Sequence, residues 1–243
     1  MKAKSNFSIL RESSLHAALK ATLAQPGDEV EAVVDGFTID LVRGDLLIEI
    51  QTQGFGALKR KLARLLEQHH VRLVHPIARE KWIVRTDARG EPRKRRKSPK
   101  RGRVEDVFTE LVSLASLATH PNFSLEVLLV QVDEVWADDG RGSWHRRRWS
   151  ITDRRLLGVV DSATFAAPRD YLRRLPATLP QPFTTHELAT ELGAPRYLAQ
   201  KMAYCLRVLG VLKVVGQHGN ARLYAIATKI RTARAPRRPV SQD

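Results

Sequence analysis

Cysteine is almost missing from this chain: Cys205 is the single one among 243 residues. An internal disulfide is therefore excluded, and so is a cysteine-built zinc site. Cys205 falls in an apolar helix-like segment and reads as a small core residue. The histidines do not make up the deficit. His69, His70 and His75 lack metal-ligand spacing, and His218 has no partner in the surrounding pattern. Long apolar runs are missing too. None approaches the ~20 residues that a membrane helix needs, and Met1-Lys2-Ala3-Lys4 is not followed by the apolar stretch of a signal peptide. No internal repeat is visible. These absences point to a cytoplasmic protein, prokaryotic in its compact layout, with no membrane partner.

Acidic side chains are scarce relative to basic ones, 26 against 41, for a net charge of +15. The excess is concentrated. Residues 89–103 hold nine basic side chains and one acidic, and residues 228–243 hold five and one. Both segments contain Pro or Gly and few large apolar residues, so the first is expected as a flexible linker or loop and the second as a disordered tail. Clustered charge of one sign attracts phosphate backbones through counterion release and does not read sequence. Arg93, Lys94, Arg95, Arg96 and Lys97 are thus candidate nucleic-acid contacts. Such a run does not distinguish RNA from DNA. The rest of the chain is nearly neutral, 43% hydrophobic overall, and long enough for one large or two modest domains.

The most informative stretch runs from Val30 to Pro76. Ser5 to Leu23 reads as a helix before it, with Ile9, Leu15, Leu19 and Leu23 recurring at helical spacing, and Pro26-Gly27 closes that helix. Strands follow near 29–35, 37–43 and 46–52, the last two joined by the turn Arg43-Gly44-Asp45 as an antiparallel hairpin. A helix with Leu58, Leu62 and Leu65 on one side comes next, then a strand from Val71 to Val74 ended by Pro76. Alternation places Asp40 on one face with Thr38 and Val42, and Ile39 and Leu41 on the other. It places Glu49 and Gln51 on the face of Leu47. The hairpin can bring Asp40 and Glu49 together. Two carboxylates in contact repel unless a positive charge sits between them, and a divalent cation with oxygen ligands would supply it. The alternative is that both acids lie on a solvated face.

The order helix, three strands, helix, strand resembles the core of the PD-(D/E)XK nuclease superfamily, over about residues 5–77. Asp40 and Glu49-x-Gln51 fall where its acidic motif lies. The resemblance implies a phosphodiesterase dependent on Mg²⁺ or Mn²⁺. Asp40, Glu49 and the backbone carbonyl of Ile50 would hold the ion, Glu12 on the first helix would assist, and the third motif residue would position the attacking water. That third residue is most often Lys in the family and is Gln51 here. Gln donates hydrogen bonds but carries no charge. Other branches move the Lys to the following helix, where Lys59 and Lys61 flank the apolar stripe. Lys61 is the preferred candidate, and His16 lies one turn beyond Glu12.

Residues 104–119 read as one helix with Val104, Val107, Phe108, Leu111, Leu114, Ala115 and Ala118 on a broad stripe. Leu125 to Val135 reads as a strand, and Trp144 to Ser150, which includes Arg146, Arg147 and Arg148, as its returning partner. This region is expected to extend the nuclease-like sheet. From Pro180 to Ala227 the pattern changes to a Thr-capped helix stopped by Gly193, a second helix stopped by Gly210, and a hairpin with a Gly-rich tip. It resembles a winged helix-turn-helix. The resemblance implies a second helix that enters the major groove, with Arg196, Gln200 and Lys201 exposed beside Tyr197, Tyr204 and Arg207, and a hairpin that touches backbone through Arg222.

The expected fold is therefore α/β: a restriction-endonuclease-like αβββαβ core with a mixed sheet (1–88), the basic linker (89–103), a helix-plus-hairpin extension (104–175), a winged helix-turn-helix of α+β type (176–227) and the tail. The expected function is magnesium-dependent hydrolysis of DNA, duplex or branched, by an endo- or exonuclease, and cutting both strands would call for a homodimer. The rival is an inactive nuclease-like regulator or scaffold that only binds DNA.

Overall fold

Apolar stretches between residues 29 and 165 fold into one mixed sheet in an α/β architecture. The structure, a computed structural model, describes residues 13–87, 90–139, 144 and 149–229. The strands are β1 (Glu29–Val34), β2 (Phe37–Arg43), β3 (Leu46–Ile50), β4 (His70–Thr86), β5 (Pro92–Lys97), β6 (Phe123–Ala137) and β7 (Ser150–Phe165). They are ordered β1-β2-β3-β4-β6-β7, with β5 attached to β4. β1, β2 and β3 form an antiparallel meander. β3 and β6 both run parallel to β4, and β7 returns antiparallel along β6.

Helices cover both faces. Helix α1 (Ser14–Leu23) starts at Ser13, whose hydroxyl accepts the His16 N–H at 3.3 Å. Its Leu15 and Leu19 are buried among Leu41, Ile48, Ile50, Val74, Leu128 and Val130. Each such Leu contributes about 1.5–3 kcal/mol by leaving water. Helix α2 (Lys59–Leu65) lies on the opposite face, where Leu62 and Leu65 join Ile39, Leu47, Leu73 and Leu125.

Four expectations need correction. First, β4 does not stop at Pro76 but continues to Thr86. The missing N–H at Pro76 would face the β3 side, as Val74 does when its carbonyl accepts from the Gln51 N–H. β3 has already ended there, so no ladder bond is lost. Second, the basic run is not a linker. β4 outruns β3, and β5 pairs antiparallel with the edge left open, Lys97 beside Trp82 and Lys94 beside Arg85. Edge backbone groups are thereby satisfied, and Glu80, Asp87 and Asp133 supply counter-charge. Third, residues 104–119 are not one helix. Short 3₁₀ turns flank a single α turn, α3 (Phe108–Leu111). The Ser113 and Thr119 hydroxyls bond carbonyls three residues back, at 2.8 and 2.7 Å, and compete with the helical ladder. The apolar stripe is nevertheless buried as expected. Fourth, the returning strand begins only at Ser150. Arg146, Arg147 and Arg148 lie outside the described residues, as do Glu12 and residues 230–243.

The chain then forms α4 (Pro168–Leu172), α5 (Thr185–Leu192), α6 (Arg196–Val208) and the hairpin β8 (Leu212–His218) with β9 (Ala221–Ile226). Thr184 and Glu187 form a reciprocal cap at the start of α5, and Gly193 ends it at φ 55°, a conformation that suits glycine. The Arg103 guanidinium bonds the carbonyls of Leu192 and Gly193 at 2.7 and 3.0 Å. Leu198, Met202, Cys205 and Leu206 of α6 sit in the same apolar core as Phe108, Leu111 and the α2 leucines. Among the described residues no helix is long and apolar enough to cross a membrane.

Candidate active site

The site begins at a gap in the pairing of β1 with β2. Register along β1 and β2 pairs Val30 with Leu41 and Ala32 with Ile39, but skips Glu31 and Asp40. Glu31 adopts φ 54°, a left-handed conformation that is uncommon outside glycine. Across from this kink in β1, β2 does not keep regular alternation. Ile39 enters the α2-side core and Leu41 the α1-side core, so they do not share a face. Sequence alternation assumed a regular strand and missed this.

Asp40 turns toward the end of β3. Its Oδ2 accepts the Ile50 N–H at 2.7 Å and lies 3.3 Å from His16 Nε2. The same Nε2 lies 3.0 Å from the Ile50 carbonyl oxygen. Both neighbours are acceptors, so Nε2 carries the proton that they share. Burial alone would raise the Asp40 pKa. The hydrogen bonds from His16 and the Ile50 N–H outweigh it and hold the carboxyl below the usual carboxylate range.

Glu49 is only 8% exposed. Its Oε2 accepts from Lys61 Nζ at 2.7 Å, and that ammonium also donates to the Thr38 carbonyl at 2.6 Å. Lys61 thus reaches from α2 to both motif strands, whereas Lys59 is exposed. Burial pushes the Glu49 pKa up. Lys61 pulls it back only in part, and the Asp40 charge adds to the rise, leaving it above the usual value. Asp40 and His16 thus gather at the Ile50 backbone, Lys61 joins Glu49 to Thr38, and the two groups are coupled by the charge of Asp40 acting on Glu49.

Gln51 does not join them through its side chain. Its amide Nε2 donates to the Gln53 carbonyl within its own loop. Its backbone is fixed on both sides: the N–H donates to Val74 at 2.9 Å, and the carbonyl accepts from His75 Nδ1 at 2.7 Å. His75 is buried against Phe55 and held neutral by that burial, its pKa lowered.

Among the described residues no group of three or more His, Cys, Asp and Glu side chains can hold a metal ion. What is present is two carboxylates and a carbonyl, hard oxygen donors of the type Mg²⁺ takes. Two of those oxygens already converge on one donor proton, that of His16.

A polar cleft of about 530 Å³ opens beside the site, lined by Ser13, Ser14, Thr52, Gln53, Asp153 and Arg154. A neighbouring cavity of about 260 Å³ shares Leu15, Thr52, Gln53 and Arg154 and reaches Glu134. Glu134 is 3% exposed and takes Lys81 at 3.0 Å, Arg154 at 3.4 Å and Trp136 Nε1 at 3.1 Å. Sequence reading missed this network. Its signal was the acidic pair Asp133-Glu134 set between apolar residues near the end of β6.

The other candidates are spread over the surface. Arg93, Lys94, Arg95, Arg96 and Lys97 are all exposed on β5. Arg196 and Gln200 are exposed on α6 beside Tyr197 and Tyr204, and Arg222 is exposed on β9. Lys201 requires correction. It is half-buried, and its ammonium reaches the Thr109 carbonyl at 3.4 Å, tying α6 to α3 and not to solvent.

Comparison with known proteins gives two matches. The family model described as Domain of unknown function (DUF8091) matches residues 13–166, which contain the whole mixed sheet and both groups of site residues. A Treponema pallidum (strain Nichols) protein, named as an uncharacterized protein, is 31% identical over 215 residues, 88% of this chain and 85% of that protein. No solved structure matches.

Proposed function

We propose that this chain, which belongs to the DUF8091 family, is a metal-dependent nuclease of the PD-(D/E)XK type that hydrolyses DNA phosphodiester bonds. The carrying observation is the meeting of Lys61 from α2 with Glu49 of β3, beside Asp40 and the Ile50 carbonyl. In this reading the lysine absent at position 51 is supplied by the helix that follows.

Asp40, Glu49 and the Ile50 carbonyl would hold Mg²⁺ or Mn²⁺, with Glu12 as a further candidate. The ion, when bound, lowers the pKa of a water and stabilises negative charge on the phosphate. The chain's own groups do the rest. Lys61, anchored on the Thr38 carbonyl, keeps the buried Glu49 ionised and presents its ammonium to the nucleophile or a phosphate oxygen. His16 holds the Asp40 carboxylate and the Ile50 carbonyl in a fixed relation. Gln51 shapes the loop through its backbone, with His75 and Val74 as its anchors.

α5, α6 and the β8–β9 hairpin are read as a winged helix-turn-helix that directs the enzyme to DNA. Arg196, Gln200, Tyr197 and Arg207 on α6 would face the groove, and Arg222 the backbone. In the test, purified protein is incubated with labelled linear, circular and branched DNA, with and without magnesium. Wild type is expected to cleave only with the metal, and Asp40→Ala to bind DNA without cleaving it. Cleavage by Asp40→Ala at the wild-type rate would remove Asp40 from the chemistry.

One observation favours a second reading, an inactive regulator or scaffold: the Gln51 amide is committed to Gln53. Calorimetry separates the two, because a regulator of that kind takes up no stoichiometric magnesium.

A further inference from the structure

β3 and β5 occupy the same edge of β4, because β6 covers the opposite edge from Val71 to Thr86. Glu49 is level with Leu73, and Arg96 is level with Ile83. On β6 the same two levels are Leu125 and Glu134. Nine steps of extended chain at about 3.3 Å each put them about 30 Å apart. One turn of B-form DNA rises about 34 Å and holds about ten base pairs.

The two faces of β5 differ in charge. Residues paired directly across strands share a face, so Arg95 and Lys97 lie with Val84 and Trp82, and Lys94 and Arg96 with Arg85 and Ile83. On the first face the cations already have counter-charges. Arg95 pairs with Asp133 at 2.9 Å, Lys97 with Glu80 at 2.7 Å, and Arg101 with Glu80 at 3.1 Å. On the second face Lys94 and Arg96 are exposed, and among the described residues no acid pairs with either. The acid nearest in register, Glu134 beside Ile83, is buried and taken by Lys81 and Arg154. That face continues through Lys81 into the cavity beneath Leu15 of α1, which Thr52 and Gln53 of the loop after β3 also line.

We infer that Lys94 and Arg96 grip the backbone of duplex DNA about one helical turn from the phosphate that is cleaved, so the substrate carries about ten base pairs of duplex on the β5 side. The position of the cleaved phosphate rests on the nuclease reading; the grip does not. Arg93, Arg95 and Lys97 serve mainly to hold the strand in place.

The experiment uses full-length protein and fluorescein-labelled DNA duplexes of about 24 and 8 base pairs, chosen to exceed and fall short of one turn. Anisotropy in EDTA gives affinity against salt for wild type, Lys94→Gln/Arg96→Gln and Arg95→Gln/Lys97→Gln, each checked by circular dichroism for an intact fold. Loss of two phosphate contacts lowers the log–log salt slope by about 1.8. The first double variant is expected to show that drop on the long duplex, with affinity down about tenfold, and the second less than half of it. An unchanged slope in the first variant, or tighter binding by wild type to an RNA duplex of the same length, overturns the inference. With magnesium, wild type is expected to cleave the long duplex at least about tenfold faster than the short one, and the first variant to lose most of that preference. Equal wild-type rates on both lengths refute the one-turn spacing. A slope drop without cleavage by any form leaves the grip standing and removes the nuclease reading.

Discussion

Replacing Lys61 with methionine keeps most of the side-chain volume and removes the ammonium that faces Glu49. Glu49 is 8% exposed and its Oε2 takes Lys61 at 2.7 Å, so the variant leaves a buried carboxylate without its cation. Removing one partner of a buried pair costs about 3–5 kcal/mol while the other stays charged. Glu49 has an escape, because burial already pushes its pKa up and it can take a proton. Holding a proton against solvent costs about 1.4 kcal/mol for each pH unit above the unfolded pKa. At about pH 7.5 that cost nears 4 kcal/mol, so the destabilisation is expected at about 3 kcal/mol. The sign with pH follows. A carboxyl whose folded pKa lies above its unfolded value loses stability as pH rises, so the deficit of Lys61→Met shrinks on acidification, to about 1 kcal/mol near pH 5.5. Glu49→Gln/Lys61→Met, with no charge left to bury, is expected within about 1 kcal/mol of wild type. Urea unfolding followed by circular dichroism at both pH values measures all three proteins. A deficit below about 1 kcal/mol at the higher pH, the size expected of a solvent-exposed pair, or a deficit independent of pH, would refute the seating of Lys61 against Glu49.

Two other perturbations test the frame around the site. A Cβ at Gly102 would meet Ile77 Cγ2 at 2.5 Å and the Ala78 carbonyl oxygen at 2.6 Å, so Gly102→Ala is expected to cost about 2 kcal/mol and lower the melting temperature by about 4–8 °C; an unchanged melt contradicts the close approach of the chain to β4. His75 is buried and its pKa is lowered, so only the unfolded chain takes up its proton below about pH 6.5. Wild-type stability should therefore fall toward pH 5.5 more steeply than that of His75→Gln, by up to about 1.4 kcal/mol per pH unit, and parallel stability curves would show that His75 is not held neutral.

Local patterns carried much of this architecture. The meander and α2 lie where periodicity and the turn Arg43-Gly44-Asp45 put them, α1 begins only at Ser14, after an extended Ser13 and later than the expected start at Ser5, and the glycines at 193 and 210 mark the ends of α5 and α6. What local pattern could not carry was the consequence of where a neighbouring strand stops. Pro76 looks like a terminator until β3 is seen to end opposite Val74. The run from Arg93 to Lys97 looks like a solvated linker until an unpaired edge of β4 is available to receive it. Asp40 and Glu49 were legible as candidates because facing positions on a hairpin suffice to single them out. The separation of Ile39 and Leu41 into different cores was not, and neither was the left-handed Glu31 across from it, which leaves no compositional mark. Lys61 was distinguishable from Lys59 only by which flank of the stripe α2 turns toward β3. Lys201 was misplaced because an exposed helix face cannot be told from one that docks on a distant segment, here Thr109.

The apolar interior that joins α6 to α2 and α3 has a consequence for heredity. The residues matched by the family model stop at 166, yet Leu198, Met202 and Leu206 roof the same interior as Phe108 and Leu111. Cutting the gene before α5 would strip that roof and leave an oily floor open to water, an invitation to aggregate. The carboxyl-terminal third is therefore no detachable accessory that recombination could trade freely. Any cousin that dispensed with it would have had to evolve another lid.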